Sequence, residues 1–284
     1  MITSQAVTAL SDEWLTGAVL SQWLEWYQQG LQPVLATIVN IDGSSPRPLG
    51  AQMAVADESQ WAGFLSGGCI EPALVAEAVA VQRQGKVHVQ RYGVGSPYVD
   101  LALPCGSAVD IYFDPNFSAS TARAILYHQQ NRQWCGLSID VQRQTSKLIT
   151  TANAEIDACT SHYLPPARLI LAGVGPLVGV LAHFAEQAGV LVEVLALDEA
   201  TNHLLAGRFN VQLHTNVDVA NKLEIDRFTA IVTLFHEHER EIPILQQALN
   251  SDAFYIAALG SQRSHQQRLE QLLSLGVSAQ DVAD

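Results

Sequence analysis

Leu15, Val19, Trp23 and Tyr27 recur at four-residue spacing behind Ser11-Asp12-Glu13, and Gly30 follows them. That spacing predicts an amphipathic helix with a polar start and a glycine stop. Residues 33–41 (PVLATIVNI) form an almost unbroken apolar run, the pattern of a buried strand. A polar turn over 42–48 separates it from shorter apolar runs at 52–56 and 61–65, which predict two more strands. Helical spacing then holds over 70–84 and ends at Gly85. Strands are expected at 87–92 and 108–113, a helix near 119–130, and strands near 133–139 and 146–150. Residues 151–166 lose periodicity and end in Pro165-Pro166, which reads as a linker. Beyond it, strands at 168–172, 190–195, 229–234 and 253–257 alternate with helices near 176–188, 240–250 and 261–275. Such alternation implies a parallel sheet covered by helices on both faces. The expected fold class is therefore α/β. An N-terminal α/β domain with a mixed sheet spans 1–150, and a C-terminal Rossmann-like parallel-sheet domain spans 167–284.

Composition supports two packed domains. The 284 residues are 48% apolar and 15% charged, enough to bury a large core and to exclude a disordered chain. The formal net charge of -13 repels phosphate backbones, so nucleic acid is not expected as a partner. The first basic residue is Arg47, and no apolar run approaches a membrane span. A cytoplasmic protein without a membrane partner is expected. The cysteines, Cys69, Cys105, Cys135 and Cys159, form no C-x-x-C pair and are expected to be thiols. The tryptophans of the first helix suggest a buried contact, which a homodimer would provide.

The candidate chemistry of the first half lies in two turns. In GSSPRPLGAQM, Pro46 and Pro48 stiffen the chain around Arg47. A guanidinium on a rigid loop is suited to capturing a phosphate or carboxylate edge, although a surface arginine in a turn has the same sequence. In GFLSGGCIE, Cys69 stands where a helix should begin, with Pro72 early in that helix and Gly67 and Gly68 leaving the backbone open. Free N–H groups and the positive dipole end at a helix start suit a reactive or metal-facing sulfur. A buried structural thiol is the alternative. Cys105 lies in a second small-residue turn, LPCGS, before the strand at 108–113. It is expected to share a soft-ligand pocket with Cys69. Cys135 and Cys159 read as structural.

In the second half, RLILAGVGPLVGVLAHFAEQAG is a strand, a glycine turn and a helix. Gly173 and Gly175 can bring backbone close to a phosphate, and Asp198 can serve a ribose hydroxyl. Val178 occupies the third glycine position of a dinucleotide turn, and Gly179 follows one place late. NAD(P) binding, and with it an oxidoreductase, is thus the alternative to a nucleotide-free Rossmann-like domain. His236, in His236-Glu237-His238-Glu239 after the strand at 229–234, is expected at the ligand-binding edge of the sheet. It reads as a pocket residue or as part of a polar loop, and no metal is assigned to it.

At these residues the chain resembles the XdhC/CoxI family. GSSPRPLGAQM is similar to that family's G-S-x-P-R-x-x-G-A-x-M segment, LSGGCIE to S-G-G-C-hydrophobic-E, and LPCGSAVDIYFDP to its C-G-G segment with Ser107 for the second glycine. HEHEREIPILQQAL and YIAALGSQRSHQQRL resemble two blocks of its Rossmann-like domain, with Phe235, Glu241, Ala257 and Gln262 as departures. The resemblance implies an accessory factor, not a free-standing enzyme. Such a factor binds the molybdenum cofactor (molybdopterin), supports its sulfuration together with a cysteine desulfurase, and delivers it to a molybdenum hydroxylase of the xanthine dehydrogenase type. On that reading Cys69 is the catalytic and metal-facing residue. Arg47, Gly67, Gly68, Cys105, Gly173, Gly175 and His236 join it around the cofactor.

Overall fold

The computed structural model describes residues 19–97, 106–151, 159–214, 223–235 and 240–278. The chain divides into two compact units, Met1–Pro165 and Pro166–Asp284.

In the first unit, helix α1 (Val19–Gln28) leads to strands β1 (Val34–Asp42), β2 (Gln52–Val55) and β3 (Trp61–Gly63). Helix α2 (Glu71–Gln84), strands β4 (His88–Gly93) and β5 (Ala108–Asp114), and helix α3 (Ala119–Gln130) follow. Strands β6 (Cys135–Asp140), β7 (Thr145–Ile149) and β8 (Thr160–Tyr163) complete the unit. The main sheet has the order β3-β2-β1-β5-β4, and each of its pairings is antiparallel. The unbroken apolar run of β1 is explained by burial on both faces. Val34, Ala36 and Ile38 pack with Leu74 and Ala78 of α2, whereas Leu35 faces Trp23 of α1 and Ala122 of α3. Trp23 and Trp26 are buried in this core, and the Trp23 indole N–H donates to the Pro33 carbonyl at 2.8 Å. Trp14, earlier in the same helical pattern, lies outside the described residues.

The expected linker carries a strand in its described residues, 159–166. Within them β8 pairs antiparallel with β6, in a small sheet ordered β7-β6-β8. Its sequence, TSHY, hides the strand because its buried residues, Thr160 and Ser161, are polar. Cys135 is sealed in the core, where burial pushes its thiol up to about 11. Cys159 donates its S–H to the Val39 carbonyl at 3.1 Å, beside an irregularity in the β1–β5 register. Both thiols are structural.

The second unit runs β9 (Arg168–Gly173), α4 (Pro176–Gln187), β10 (Leu191–Ala196), α5 (Glu199–Leu205) and β11 (Asn210–Leu213). Then come β12 (Thr229–Leu234), α6 (Ile242–Leu249), β13 (Tyr255–Ala258) and α7 (Gln262–Ser274). The sheet, β11-β10-β9-β12-β13, is parallel throughout, the Rossmann-like order about a central first strand. Leu169 and Leu171 of β9 pack toward α4 and α5; Ile170 and Ala172 pack toward α6. Helix α5 and edge strand β11 are absent from the sequence-based expectation. Both are short, and a seven-residue helix shows too few turns for its period to stand out. No helix of the described residues is long and apolar enough to cross a membrane.

Candidate functional site

Antiparallel pairing gathers the first unit's motif segments at one edge of its sheet. Asp42 at the end of β1 pairs with Ala108 at the start of β5, and Ala108 with Gly93 at the end of β4. Gln52 opens β2 beside Thr37 of β1, and Gly63 at the end of β3 pairs with Met53. The chain therefore leaves this edge after β1, β3 and β4 alike. Two of the departing segments meet: a side-chain carbon on Gly43 would stand 3.1 Å from the Ser107 Cβ. Arg91, at the end of β4, ties their roots together. Its guanidinium pairs with Asp42 and with Asp110 (3.1 Å), and its Nε–H donates to the Val94 carbonyl at 3.0 Å.

Arg47 lies on the first of these segments. Its guanidinium sits over the Phe64 ring, 4.6 Å from the centroid. Stacking on an aromatic face holds the cation without using its N–H groups. The Nε atom is buried and makes no hydrogen bond. A buried, unsatisfied donor on a charged group is the kind of exception that invites an anionic acceptor. Phe64 leads directly into the cysteine loop, so Arg47 and that loop are neighbours through it.

The cysteine loop is pinned at both ends by apolar residues, Leu65 and Ile70, which are buried in the α2-side core. Between them Gly67, Gly68 and Cys69 are exposed. Gly67 and Gly68 take φ of 80° and 107°, the left-handed region that side chains disfavour. Among the described residues nothing lies within 4 Å of a carbon added at either, so the surface above them is open. Cys69 is an exposed thiol, as a reactive sulfur requires, and not the buried structural one.

The amides near Cys69 are arranged differently from the expectation that they face its sulfur. They turn inward onto Glu71, the first residue of α2. Its buried carboxylate accepts from the amides of Leu65 (3.0 Å), Ser66 (2.8 Å) and Gly68 (2.8 Å) and from the Ser66 hydroxyl (2.6 Å). Burial alone raises the Glu71 pKa, but hydrogen bonds from Ser66 and Leu65 outweigh it and hold the carboxyl below its usual value. Ser66 Oγ in turn accepts from the amides of Cys69 (3.1 Å) and Ile70 (3.0 Å). Sequence reasoning quoted Glu71 only as part of a motif and passed over Ser66, Phe64 and Arg91. A serine five places before a first-turn glutamate was the available signal. Cys105 and His236 lie outside the described residues. Among the described residues no group of three or more His, Cys, Asp or Glu side chains forms a metal site.

In the second unit the amide of the glycine turn is bonded within the chain. Gly175 N–H donates to Thr201 Oγ1 at 2.7 Å, and that hydroxyl donates to Asp198 at 3.1 Å. Asp198 also caps α5 through the Thr201 amide, at 2.6 Å. The donor and the acid that a dinucleotide would use are thus joined through one threonine. Gly173 is needed for strand packing, since a Cβ there would lie 2.5 Å from the Leu234 carbonyl oxygen. Val178 is buried against the sheet, and Gly179, not residue 178, lets α5 approach α4. At the ends of the central strands, Phe235 packs in one apolar cluster with Leu197 and Val174. This geometry gives NAD(P) no support.

An exposed cysteine loop and a stacked arginine on an antiparallel-sheet unit, followed by a Rossmann-like unit whose Gly175 amide is bonded within the chain, define a two-part protein. The chain belongs to the XdhC and CoxI family: residues 26–93 match the family itself and residues 169–284 the XdhC Rossmann domain. It is 32% identical over 262 residues to the molybdenum cofactor insertion chaperone PaoD of Escherichia coli K12, covering 91% of this chain and 76% of that one. A crystal structure described as a xanthine dehydrogenase from Bacillus halodurans shares the fold, with a TM-score of 0.72, 19% identity, and coverage of 88% of this chain and 84% of the other.

Proposed function

We propose that this chain is an accessory factor that binds the molybdenum cofactor and supports its maturation and insertion into a molybdenum hydroxylase of the xanthine dehydrogenase type. The observation that carries the reading is the relationship to an insertion chaperone along nearly the whole chain. The first-unit edge suits such a cargo. The cofactor brings its metal already held by the pterin, so a single exposed soft donor, Cys69, is enough to face it. The Arg47 guanidinium, held by stacking on Phe64, would take the anionic phosphate end. Gly67 and Gly68 leave room for close approach over the loop. Cys105 and His236 remain candidate contributors from the motifs that carry them. On this reading a cysteine desulfurase that docks with the factor in the cytoplasm would be the source of sulfur for the cofactor's maturation.

Purified protein mixed with isolated molybdenum cofactor tests the proposal, with bound molybdenum read by elemental analysis after gel filtration. Wild-type protein is expected to retain the cofactor. Cys69→Ala and Arg47→Ala are each expected to raise the half-saturating concentration about tenfold, the loss of one interaction with a charged group. Equal retention by both variants would remove these residues from the site. No retention by the wild type would overturn the function.

A further inference from the structure

The carboxylate beneath the cysteine loop does work that the proposed function does not by itself require. We infer that Glu71 is the positioning residue of this site: through its own oxygens and the Ser66 hydroxyl it fixes the loop that presents Cys69 before any cargo arrives. The inference rests on reading this edge as the cofactor site.

The loop has no apolar anchor of its own between Leu65 and Ile70, and its two left-handed glycines give it many alternative conformations. What selects one is a two-layer set of bonds. One Glu71 oxygen takes the Leu65 and Ser66 amides, and the other takes the Gly68 amide and the Ser66 hydroxyl. The hydroxyl then holds the amides of Cys69 and Ile70. Donors alone converge on the inner layer, so only an ionised carboxylate satisfies it; a glutamine would turn its NH2 group against some of them. The backbone on both sides of Cys69 is committed inward, and the side chain is left outside. Preorganisation of this kind lowers the ordering entropy that binding must otherwise overcome.

Amide hydrogen exchange on the full chain, followed by titration with isolated molybdenum cofactor, tests the inference in Glu71→Gln and Ser66→Ala. In Glu71→Gln the amides of Leu65, Ser66, Gly68, Cys69 and Ile70 are expected to exchange at least about tenfold faster, while those of β1 and β5 keep their protection. The half-saturating cofactor concentration is expected to rise about tenfold although Arg47 and Cys69 are intact, and saturating cofactor is expected to restore loop protection. Ser66→Ala should loosen only Cys69 and Ile70, and it carries the test if Glu71→Gln does not fold. Unchanged exchange in the loop overturns the inference, and so does faster exchange with unchanged cofactor affinity. A wild-type protein that binds no cofactor defeats the proposed function instead; loop exchange alone then decides whether Glu71 orders the loop.

Discussion

Arg268→Leu is expected to destabilise the second unit by about 3–5 kcal/mol, whereas Glu241→Leu/Arg268→Leu recovers most of that loss. Glu241 heads α6 and is fully buried; Arg268, in α7, is nearly so. The guanidinium Nε–H donates to one carboxylate oxygen at 2.9 Å, and Thr233 Oγ1 donates to the other at 2.8 Å. A further guanidinium N–H reaches the Leu259 carbonyl at 3.1 Å, so a single arginine joins α6, α7 and the turn after β13. Removing Arg268 leaves a fully buried carboxylate without its counter-cation, the costly way to break a buried pair. Removing both charges exchanges the pair for hydrocarbon, which buried sites tolerate. Urea denaturation followed by tryptophan-independent circular dichroism reads Arg268→Leu, Glu241→Leu, the double variant and the wild type as a double-mutant cycle. A single variant no less stable than the double one would mean that Glu241 finds other partners once Arg268 is gone. These residues belong to the two blocks that resemble the family's Rossmann-like domain, so in this unit the recognisable motif residues hold the fold.

The same distinction explains what could be read in advance. Strands β1 and β9 were legible because both faces of each are buried, which makes their sequences almost uniformly apolar. Helix α2 was legible from its spacing and from Gly85, which ends it in the left-handed conformation. Strand β8 was not, because its burial comes from partners distant in sequence: Ser161 Oγ donates to the Gly50 carbonyl, and the Tyr163 hydroxyl to Gln52. At the site, the exposed Cys69 and the two glycines were legible as turn chemistry. Glu71 was not, because a glutamate in a first helical turn is ordinary and its role depends on a loop folding back over it. The glycine turn of the second unit misled for a related reason. Gly175 makes the turn, but Gly173 ends the strand, packed against Leu234, and the group that meets the Gly175 amide is Thr201, 26 residues on.

Gly50→Ala is expected to cost about 2–4 kcal/mol and to weaken cofactor retention together with stability. Gly50 has φ 82°, where a side chain is strained, and a Cβ would stand 2.9 Å from the Thr160 carbonyl oxygen and 3.0 Å from the Ser161 Cα. Both are backbone atoms of β8, held in register by β6 through Thr160↔Ser138 and Ser161↔Leu137, so neither can rotate aside. The segment carrying Arg47 must therefore yield, lifting away from the strand to which its Gly50 carbonyl is bonded at 2.8 Å. Gly30→Ala supplies the control: its φ of 88° is equally unfavourable, but among the described residues nothing lies within 4 Å of the added carbon. That variant should lose only the backbone part, about 1–2 kcal/mol, and keep wild-type cofactor retention. Thermal melts and the molybdenum retention assay on the two variants separate strain from collision. Equal losses in both would mean that β8 does not hold the Arg47 segment in place, and that the arginine is positioned from its Phe64 side alone.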